Sequence, residues 1–388
     1  MEYKRVKISE ICSSICSGGT PKSTIPEYYG GNIPWLNTKE INFNRIYNTE
    51  KSITKEGLIN SSAKWIEENS VVVAMYGATA GKSAITKIPL TTNQACCNIT
   101  VNNSKADYRF VYYALYNDYK CLASLANGGA QQNLNAQLIK DFDIPNFPLN
   151  EQIKIANLIS TLDDKIELNR RINDNLEQQA QMMFDQHLMN NTATEFCKLS
   201  DIANINPKRT VSKNTKARYI EMSNLPTKGS FPCGWEYKEF SGGMKFMNGD
   251  TLMARITPCL ENGKVAFINF LNNGEIAFGS TEYIVISSKG IYSSEWFYFL
   301  TRNKTFVDYS IKHMNGSSGR QRVSGESIGD FPLPQFSKDS LKPIFLMAES
   351  ALKIIKRNSL ENIKLSAIRD SLLPRLMSGE LKINETNN

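Results

Sequence analysis

Hydrophobic positions along this chain recur with two different periods, and the switch between them divides it into alternating stretches. In residues 1–149, short apolar runs are punctuated by Gly, Pro and Asn. Ser70-Val71-Val72-Val73-Ala74-Met75 and Cys97-Asn98-Ile99-Thr100-Val101 predict strands, and Gly30-Gly31-Asn32 predicts a turn. One stretch, 109–117, reads as a helix. Residues 195–337 repeat the plan. Asp250-Thr251-Leu252-Met253-Ala254, Val265-Ala266-Phe267-Ile268 and Glu282-Tyr283-Ile284-Val285-Ile286 predict strands, and 295–301 a helix. Both stretches therefore predict α+β units.

Residues 150–190 and 338–382 have a different character, rich in Leu, Ile, Gln, Asn and Lys. In the first, positions alternately four and three apart form one seam: Ile155, Ile159, Leu162, Ile166, Asn169, Asn173, Leu176, Ala180, Met183 and His187. Displaced by about 189 residues, the same seam reads Ile344, Ala348, Ala351, Ile355, Asn358, Asn362, Leu365, Arg369, Leu372 and Leu376. Asn169 and Asn173 thus fall on Asn358 and Asn362, in the middle of otherwise apolar stripes. A seam Asn costs stability but penalises wrong registers, because it needs a polar partner. The expectation is two long helices packed antiparallel, with the Asn layers setting the register. The competing reading has each helix covering its own unit with its Asn residues exposed. At roughly 40 residues and 1.5 Å per residue, each helix spans about 60 Å.

The offset that relates the seams relates the units as well. Asp141-Phe142-Asp143-Ile144-Pro145-Asn146-Phe147 is echoed by Asp330-Phe331-Pro332-Leu333-Pro334-Gln335-Phe336, and Lys7-Ile8-Ser9-Glu10-Ile11 by Lys198-Leu199-Ser200-Asp201-Ile202. The chain is a tandem duplication whose copies are far longer than solenoid repeats, so each is expected to fold around its own core. Such a protein can present two similar surfaces to one long, repetitive partner.

Composition narrows the partner only slightly. The 388 residues are 41% hydrophobic, enough for two cores, and 45 Lys plus Arg against 38 Asp plus Glu leave a formal charge of +7, a mild bias toward anionic partners. The eight cysteines form no C-x-x-C pair and lack nearby His to complete a zinc set, so reduced, buried or incidental thiols are expected. The amino terminus opens Met1-Glu2-Tyr3-Lys4-Arg5 without an apolar leader, and no run approaches a membrane span, which points to the cytoplasm.

Catalytic chemistry finds little support. Tyr76-Gly77-Ala78-Thr79-Ala80-Gly81-Lys82-Ser83 resembles a phosphate-binding loop, but only three residues separate its glycines where four are needed, and Ala84-Ile85-Thr86-Lys87-Ile88-Pro89 is a poor helix start. Asn32-Ile33-Pro34-Trp35 approaches a base-methyltransferase motif, yet its proline pair is broken and no Gly-rich cofactor loop accompanies it. The two histidines, His187 and His313, leave little for acid–base relays, and His187 lies on the seam, where packing is the simpler role. No metal cluster or cofactor is expected.

What recurs is a pair of polar, flexible loops. Asn127-Gly128-Gly129-Ala130-Gln131-Gln132-Asn133 aligns with Asn315-Gly316-Ser317-Ser318-Gly319-Arg320-Gln321-Arg322. Glycines permit close backbone approach, while Gln, Asn and Arg carry the paired donors and acceptors that read base edges. Each loop is accompanied by a cation after a strand, Lys82 in one unit and Lys264 in the other. A solvated surface loop is the plainer reading of either one alone. The DNA-contact candidates are Lys82, Gln131, Gln132, Asn133, Arg255, Lys264, Arg320, Gln321 and Arg322.

Three phrases resemble a known family. They are Ser17-Gly18-Gly19-Thr20-Pro21 with Pro26-Glu27-Tyr28-Tyr29-Gly30-Gly31-Asn32-Ile33-Pro34-Trp35; the stretch 153–175 containing Leu162-Asp163-Asp164-Lys165-Ile166-Glu167-Leu168-Asn169; and Leu372-Leu373-Pro374-Arg375-Leu376-Met377-Ser378-Gly379-Glu380-Leu381. Together they make the chain similar to the specificity subunit of type I restriction-modification systems. The resemblance implies an α+β fold with two target recognition domains, 1–149 and 195–337, each followed by a spacer helix, 150–190 and 338–382. The helices would pair as an antiparallel coiled coil with pseudo-twofold symmetry. It further implies a non-catalytic subunit that binds double-stranded DNA, each domain reading half of a split target, and that docks methylation subunits, expected to be two, and restriction/translocase subunits. The opener is weaker in the second unit, where Ile205-Asn206-Pro207-Lys208 stands in its place. Two other classes stay open: a stand-alone methyltransferase or nuclease, which would bind a cofactor by itself, and a structural adaptor, which would show no sequence preference on DNA.

Overall fold

The computed structural model describes residues 4–127, 133–189, 195–317 and 319–383. It divides into two compact units, one of Met1–Asp164 with Leu365–Asn388 and the other of Lys165–Lys364.

The first unit is built on a five-stranded sheet in the order Cys12–Ser17, Cys96–Val101, Val71–Ala74, Ser83–Thr86, Asn44–Ile46, with a four-stranded sheet ordered Lys51–Ile53, Tyr29–Leu36, Leu90–Thr92, Trp65–Ile66. The central strand explains the layering. Val71 and Val73 point into a core roofed by helix Tyr108–Asn117, while Val72 and Ala74 point into another that holds Leu36, Ile66 and Leu90 of the smaller sheet. Because both faces are covered, the run is continuously apolar and shows no alternation. Asp107 starts the covering helix by accepting from the amides of Arg109 and Phe110.

The second unit repeats this plan. One sheet runs Ala203–Ile205, Tyr283–Ser288, Thr251–Ala254, Val265–Phe267, and the other Glu236–Glu239, Lys216–Ile220, Ala277–Gly279, Met244–Phe246. Corresponding strands occupy corresponding places, down to the parallel pairs of the smaller sheets, 29–36 with 90–92 and 216–220 with 277–279. Met253, Ile284 and Ile286 face helix Ser294–Arg302, and Leu252, Tyr283 and Val285 face the smaller sheet. Each unit also closes with a short ribbon, Arg5–Lys7 on Asp143–Pro145 and Phe196–Lys198 on Pro332–Pro334. Equivalent exposed ion pairs, Lys7–Asp141 at 2.9 Å and Lys198–Asp330 at 2.8 Å, flank the ribbons.

The openers differ in residue but converge in bonding. The Gly18 amide donates to the Cys96 carbonyl at 3.1 Å, and the Asn206 amide donates to the Val285 carbonyl at 2.7 Å. A Cβ on Gly18 would lie 2.1 Å from Thr92 Oγ1, and one on Gly19 2.0 Å from the Ala63 amide, so the Gly pair answers a close approach. Asn206 takes the left-handed conformation at φ 53° and adds a side-chain bond, accepting from the Val285 amide at 2.9 Å.

Two helices of 41 and 40 residues, Leu149–Met189 and Lys338–Met377, each contribute to both units. In the first unit Ile155, Ala156 and Ile159 share the core with Leu373, Leu376 and Met377. In the second, Ala180 and Phe184 share it with Leu341, Ile344, Ala348, Ala351, Leu352 and Ile355. Residue numbers rise along one helix as they fall along the partner, in Asn169–Asn362 and Asn173–Asn358 of the second unit. Within each unit, therefore, each helix covers its sheet and its segments from the two helices also lie together. The seam departs from its predicted positions near the carboxyl ends. Phe184 is fully buried where Met183 was expected, and Met183 is 48% exposed. Leu373 likewise replaces Leu372 as the more buried residue. A helix of 3.6 residues per turn drifts against a 3.5-residue repeat, so a stripe that also serves a globular core slides by one position after several turns.

Candidate nucleic-acid interface

Three backbone hydrogen bonds build the same frame in both units. The Ala74 amide donates to the Lys82 carbonyl at 2.9 Å, as Ala254 does to Lys264 at 2.9 Å. Met75 donates to Ala95 at 2.8 Å, as Arg255 does to Glu282 at 3.0 Å. The polar loop is then pinned to the strand end, Leu134 donating to the Met75 carbonyl at 3.0 Å and Val323 to the Arg255 carbonyl at 3.0 Å. Met75, Ala95 and Asn133 of the first unit thus occupy the places of Arg255, Glu282 and Arg322 of the second, and Lys82 that of Lys264.

The side chains on these frames differ. In the second unit Arg322 Nε lies 3.0 and 2.9 Å from the two Glu282 oxygens and its Nη2 lies 2.8 Å from Oε1, while Nη1 donates to the Arg320 carbonyl at 3.2 Å. Arg255 Nε stands 3.5 Å from Glu282 Oε2, an ion-pair distance without hydrogen-bond geometry. The Arg255 terminal nitrogens take no hydrogen bond among the described residues. Hydrogen bonding from Arg322, with the charges of both guanidinia, holds the Glu282 carboxyl below its ordinary value and keeps it ionised near neutrality. The hairpin carrying these residues is closed by paired amide bonds between Asn315 and Arg322, both 2.9 Å, and by the Thr257 amide on the Gln321 carbonyl at 3.0 Å. Arg320 is exposed and Gln321 half-buried.

In the first unit Lys82 donates to Asn42 Oδ1 at 2.7 Å and lies 6.0 Å from the Phe43 ring centre. A neutral amide leaves its charge uncompensated. Lys264 donates to the Met222 carbonyl at 2.8 Å. Asn133 is exposed. Gln131 and Gln132 lie outside the described residues.

The four seam asparagines come together in the second unit. Asn169 is 1% exposed and donates to Asn362 Oδ1 at 2.9 Å and Glu361 Oε2 at 2.7 Å; Asn358 donates to Asn173 Oδ1 at 2.9 Å, and Asn362 to the Ile166 carbonyl at 3.3 Å. Each buried amide thereby finds partners that a slipped register would remove.

Several contacts had no sequence signal. Arg369, predicted merely as a seam position, donates to Asp163 at 2.8 Å and to the Tyr116 hydroxyl at 2.8 Å, with Tyr113 donating to the other Asp163 oxygen at 2.8 Å. Arg302 ties the loop before Lys264 to its helix, donating to the carbonyls of Gly263 at 2.6 Å, Gly229 at 2.7 Å and Thr227 at 2.8 Å. Glu282 was read simply as a strand residue. Such partners lie tens to hundreds of residues apart and carry no spacing rule.

The phosphate-loop look-alike is a short 3-10 turn, Gly77–Thr79, that leads into strand Ser83–Thr86, so no helix amino terminus stands behind it. His187 stacks on Phe336 at 4.7 Å, and His313 stacks on Tyr309 at 3.9 Å. All eight cysteines are free, and burial pushes the Cys12 and Cys97 thiols up to about 12, far from reactive thiolates. Among the described residues there is no His, Cys, Asp and Glu group that could hold a metal, and no helix is long and apolar enough to cross a membrane.

Fold and frames together define a duplicated α+β protein that offers two loops of unlike chemistry on one scaffold. Residues 1–178 match the family described as the type I restriction modification DNA specificity domain. The chain is thus similar to the specificity subunits of type I restriction-modification systems, with the family match lying in its first 178 residues. It is 27% identical over 326 residues to a type I restriction enzyme specificity subunit of Methanocaldococcus jannaschii, covering 83% of this chain and 66% of the relative. It is 32% identical over 146 residues to one of Escherichia coli, covering 36% of this chain and 25% of that relative. The chain thus spans just under two thirds of the archaeal relative and a quarter of the bacterial one. The S subunit of a type I restriction-modification system from M. genitalium shares the fold, with a TM-score of 0.59 at 17% identity, covering 99% of this chain and 97% of that one.

Proposed function

We propose that this chain is the DNA sequence-recognition subunit of a type I restriction-modification complex. Each unit reads one half of a bipartite, asymmetric target across an unread spacer. The observation that carries this reading is the pair of hydrogen-bonded frames: the same three bonds hold a Gly/Asn/Gln loop in one unit and a Gly/Arg/Gln loop in the other, in a chain whose residues 1–178 match a DNA specificity domain. Two equal frames suit two similar half-sites, and unlike side chains make them different sequences. Arg320, Gln321, Asn133, Gln131 and Gln132 are the base-edge candidates, since Arg pairs with guanine and Asn or Gln with adenine. Lys82 and Lys264 fit phosphate contacts, which orient without specifying.

The chain supplies recognition in the cytoplasm and no catalysis of its own. It docks two modification subunits, which methylate, and the restriction/translocase subunits. The long helices, entering both units and locked in register by Asn169, Asn173, Asn358 and Asn362, serve as the ruler for the spacer. Half-sites addressed from one face of the duplex lie roughly 34 to 36 Å apart.

Mapping modified bases in a host that carries this chain with its cognate catalytic subunits tests the proposal. A split sequence with two unlike specified halves is expected, and inserting whole helical turns within 169–176 should lengthen the spacer while leaving both halves intact. Modification without a split target, or a spacer unchanged after insertion, contradicts it. Cofactor binding by the isolated chain would favour the stand-alone enzyme instead.

A further inference from the structure

The three-bond frame shows what each unit has placed beside its recognition loop. Where the first unit has Met75, Ala95 and Asn133, none charged, the second has Arg255, Glu282 and Arg322, all charged. Arg322 is fastened: Nε and Nη2 lie on the Glu282 carboxylate and Nη1 on the Arg320 carbonyl. Its backbone is paired with Asn315 in both directions. The Nε–Nη2 edge of this guanidinium, one of those that could pair with a base, is taken by the carboxylate. Arg255 differs, because its closest approach to Glu282 is Nε at 3.5 Å without hydrogen-bond geometry, its side chain is 32% exposed, and its terminal nitrogens take no hydrogen bond among the described residues.

We propose that Glu282 is the specificity-determining carboxylate of the second unit: it fastens Arg322 as a strut of the hairpin, leaves the Arg255 terminal nitrogens to make a base contact, and by its own charge repels phosphate from that place. The inference rests on the DNA-reading function proposed above. The physics is that of discrimination by repulsion. A bare pair of arginines beside a loop binds any phosphate, so affinity rises for every sequence alike. A carboxylate between them cancels most of that attraction at a backbone phosphate, while a guanine edge, which carries acceptors but no net charge, still accepts from Arg255. Glu282 acts on DNA through its neighbours and is a positioning residue. The first unit needs no counterpart, having no guanidinium at the equivalent places.

The test uses the complex of the full chain with its cognate modification subunits. It is titrated with the duplex that modified-base mapping identifies and with duplexes scrambled in either half, across a salt series. Glu282→Gln is expected to tighten binding to fully scrambled duplex, to steepen its logarithmic salt dependence by about one phosphate contact, and to lower discrimination of the second half about tenfold, leaving the first half unchanged. Glu282→Asp, which retains the charge, is expected to restore most of that discrimination, which simple loss of packing would not. Arg255→Ala alters a partly exposed side chain and stands independently of the fold of the glutamine variant. It is expected to lose about tenfold discrimination at one base pair of the second half and none in the first. A glutamine variant whose salt slope and discrimination equal those of the wild type overturns the role of Glu282, as does an alanine variant that weakens all duplexes equally. Wild-type complex that distinguishes none of the duplexes overturns the DNA-reading function itself.

Discussion

The two units are one scaffold fitted with two chemistries. Their sheets share a strand order, to which the first unit adds Asn44–Ile46, and the smaller sheets share a parallel pair, while the equivalent polar loops abut the same frame of three amide bonds. Yet the first sets Met75 and Ala95 beside its loop where the second sets Arg255 and Glu282. Backbone bonding, indifferent to side chains, maintains the frame, so the side chains on it are at liberty to change. The helical segments show the same division. Arg369 in the first unit makes an ion pair with Asp163 where the second unit buries Ala180 and Leu352.

The most severe way to break this comparison is through the core. Phe184→Ala should destabilise the second unit by about 3–5 kcal/mol and Ile159→Ala the first by about 2–5 kcal/mol, because both side chains are fully buried. Thermal unfolding with hydrogen-exchange protection resolved by residue would show each loss centred on its own unit, and equal loss in both would deny them separate cores. Next in size, Asp163→Ala should cost the first unit about 2–3 kcal/mol, since it strands Arg369, whose side chain is 15% exposed. Replacing Asp163 and Arg369 together with apolar residues should recover most of that.

Smaller effects concern recognition. Arg320→Ala should relax one base pair of the second half at a cost of about 1–3 kcal/mol. Lys82→Ala should weaken all sequences alike and reduce the salt slope by about one. Binding titrations against single-base variants separate the two, and interchange of these behaviours would reverse their roles. Smallest is a pH effect. The folded-state value of Glu282 lies below the ordinary 4.5, so its contribution to stability is present above 4.5 and is lost as pH falls through the lower folded value. Denaturation midpoints across that acid window should show this limb in the wild type and not in Glu282→Gln.

Much of the architecture was legible because it rests on periodicity. The runs around Val71–Val73 and Tyr283–Ile286 became strands, and the paired Asn positions marked the stretch where the helices bond. Strands of two or three residues, such as Trp65–Ile66 and Lys51–Ile53, were not legible, because so short a run carries no period. Nor was the division of each helix between the two units, since one continuous stripe serves both. The equivalence of the two polar loops was legible by recurrence, and the amide bonds from Leu134 and Val323 keep it. Glu282 was not, because its partnership with Arg255 and Arg322 exists only once strand and hairpin are brought together.

The division of labour between the units is tested most directly by modified-base maps from hosts that carry the wild-type chain or Arg320→Ala, each with the cognate modification subunits. The account predicts a two-part target in which the variant relaxes the half read by the second unit and leaves the first half and the spacer as they were. Relaxation of both halves together, or of the first alone, would contradict it.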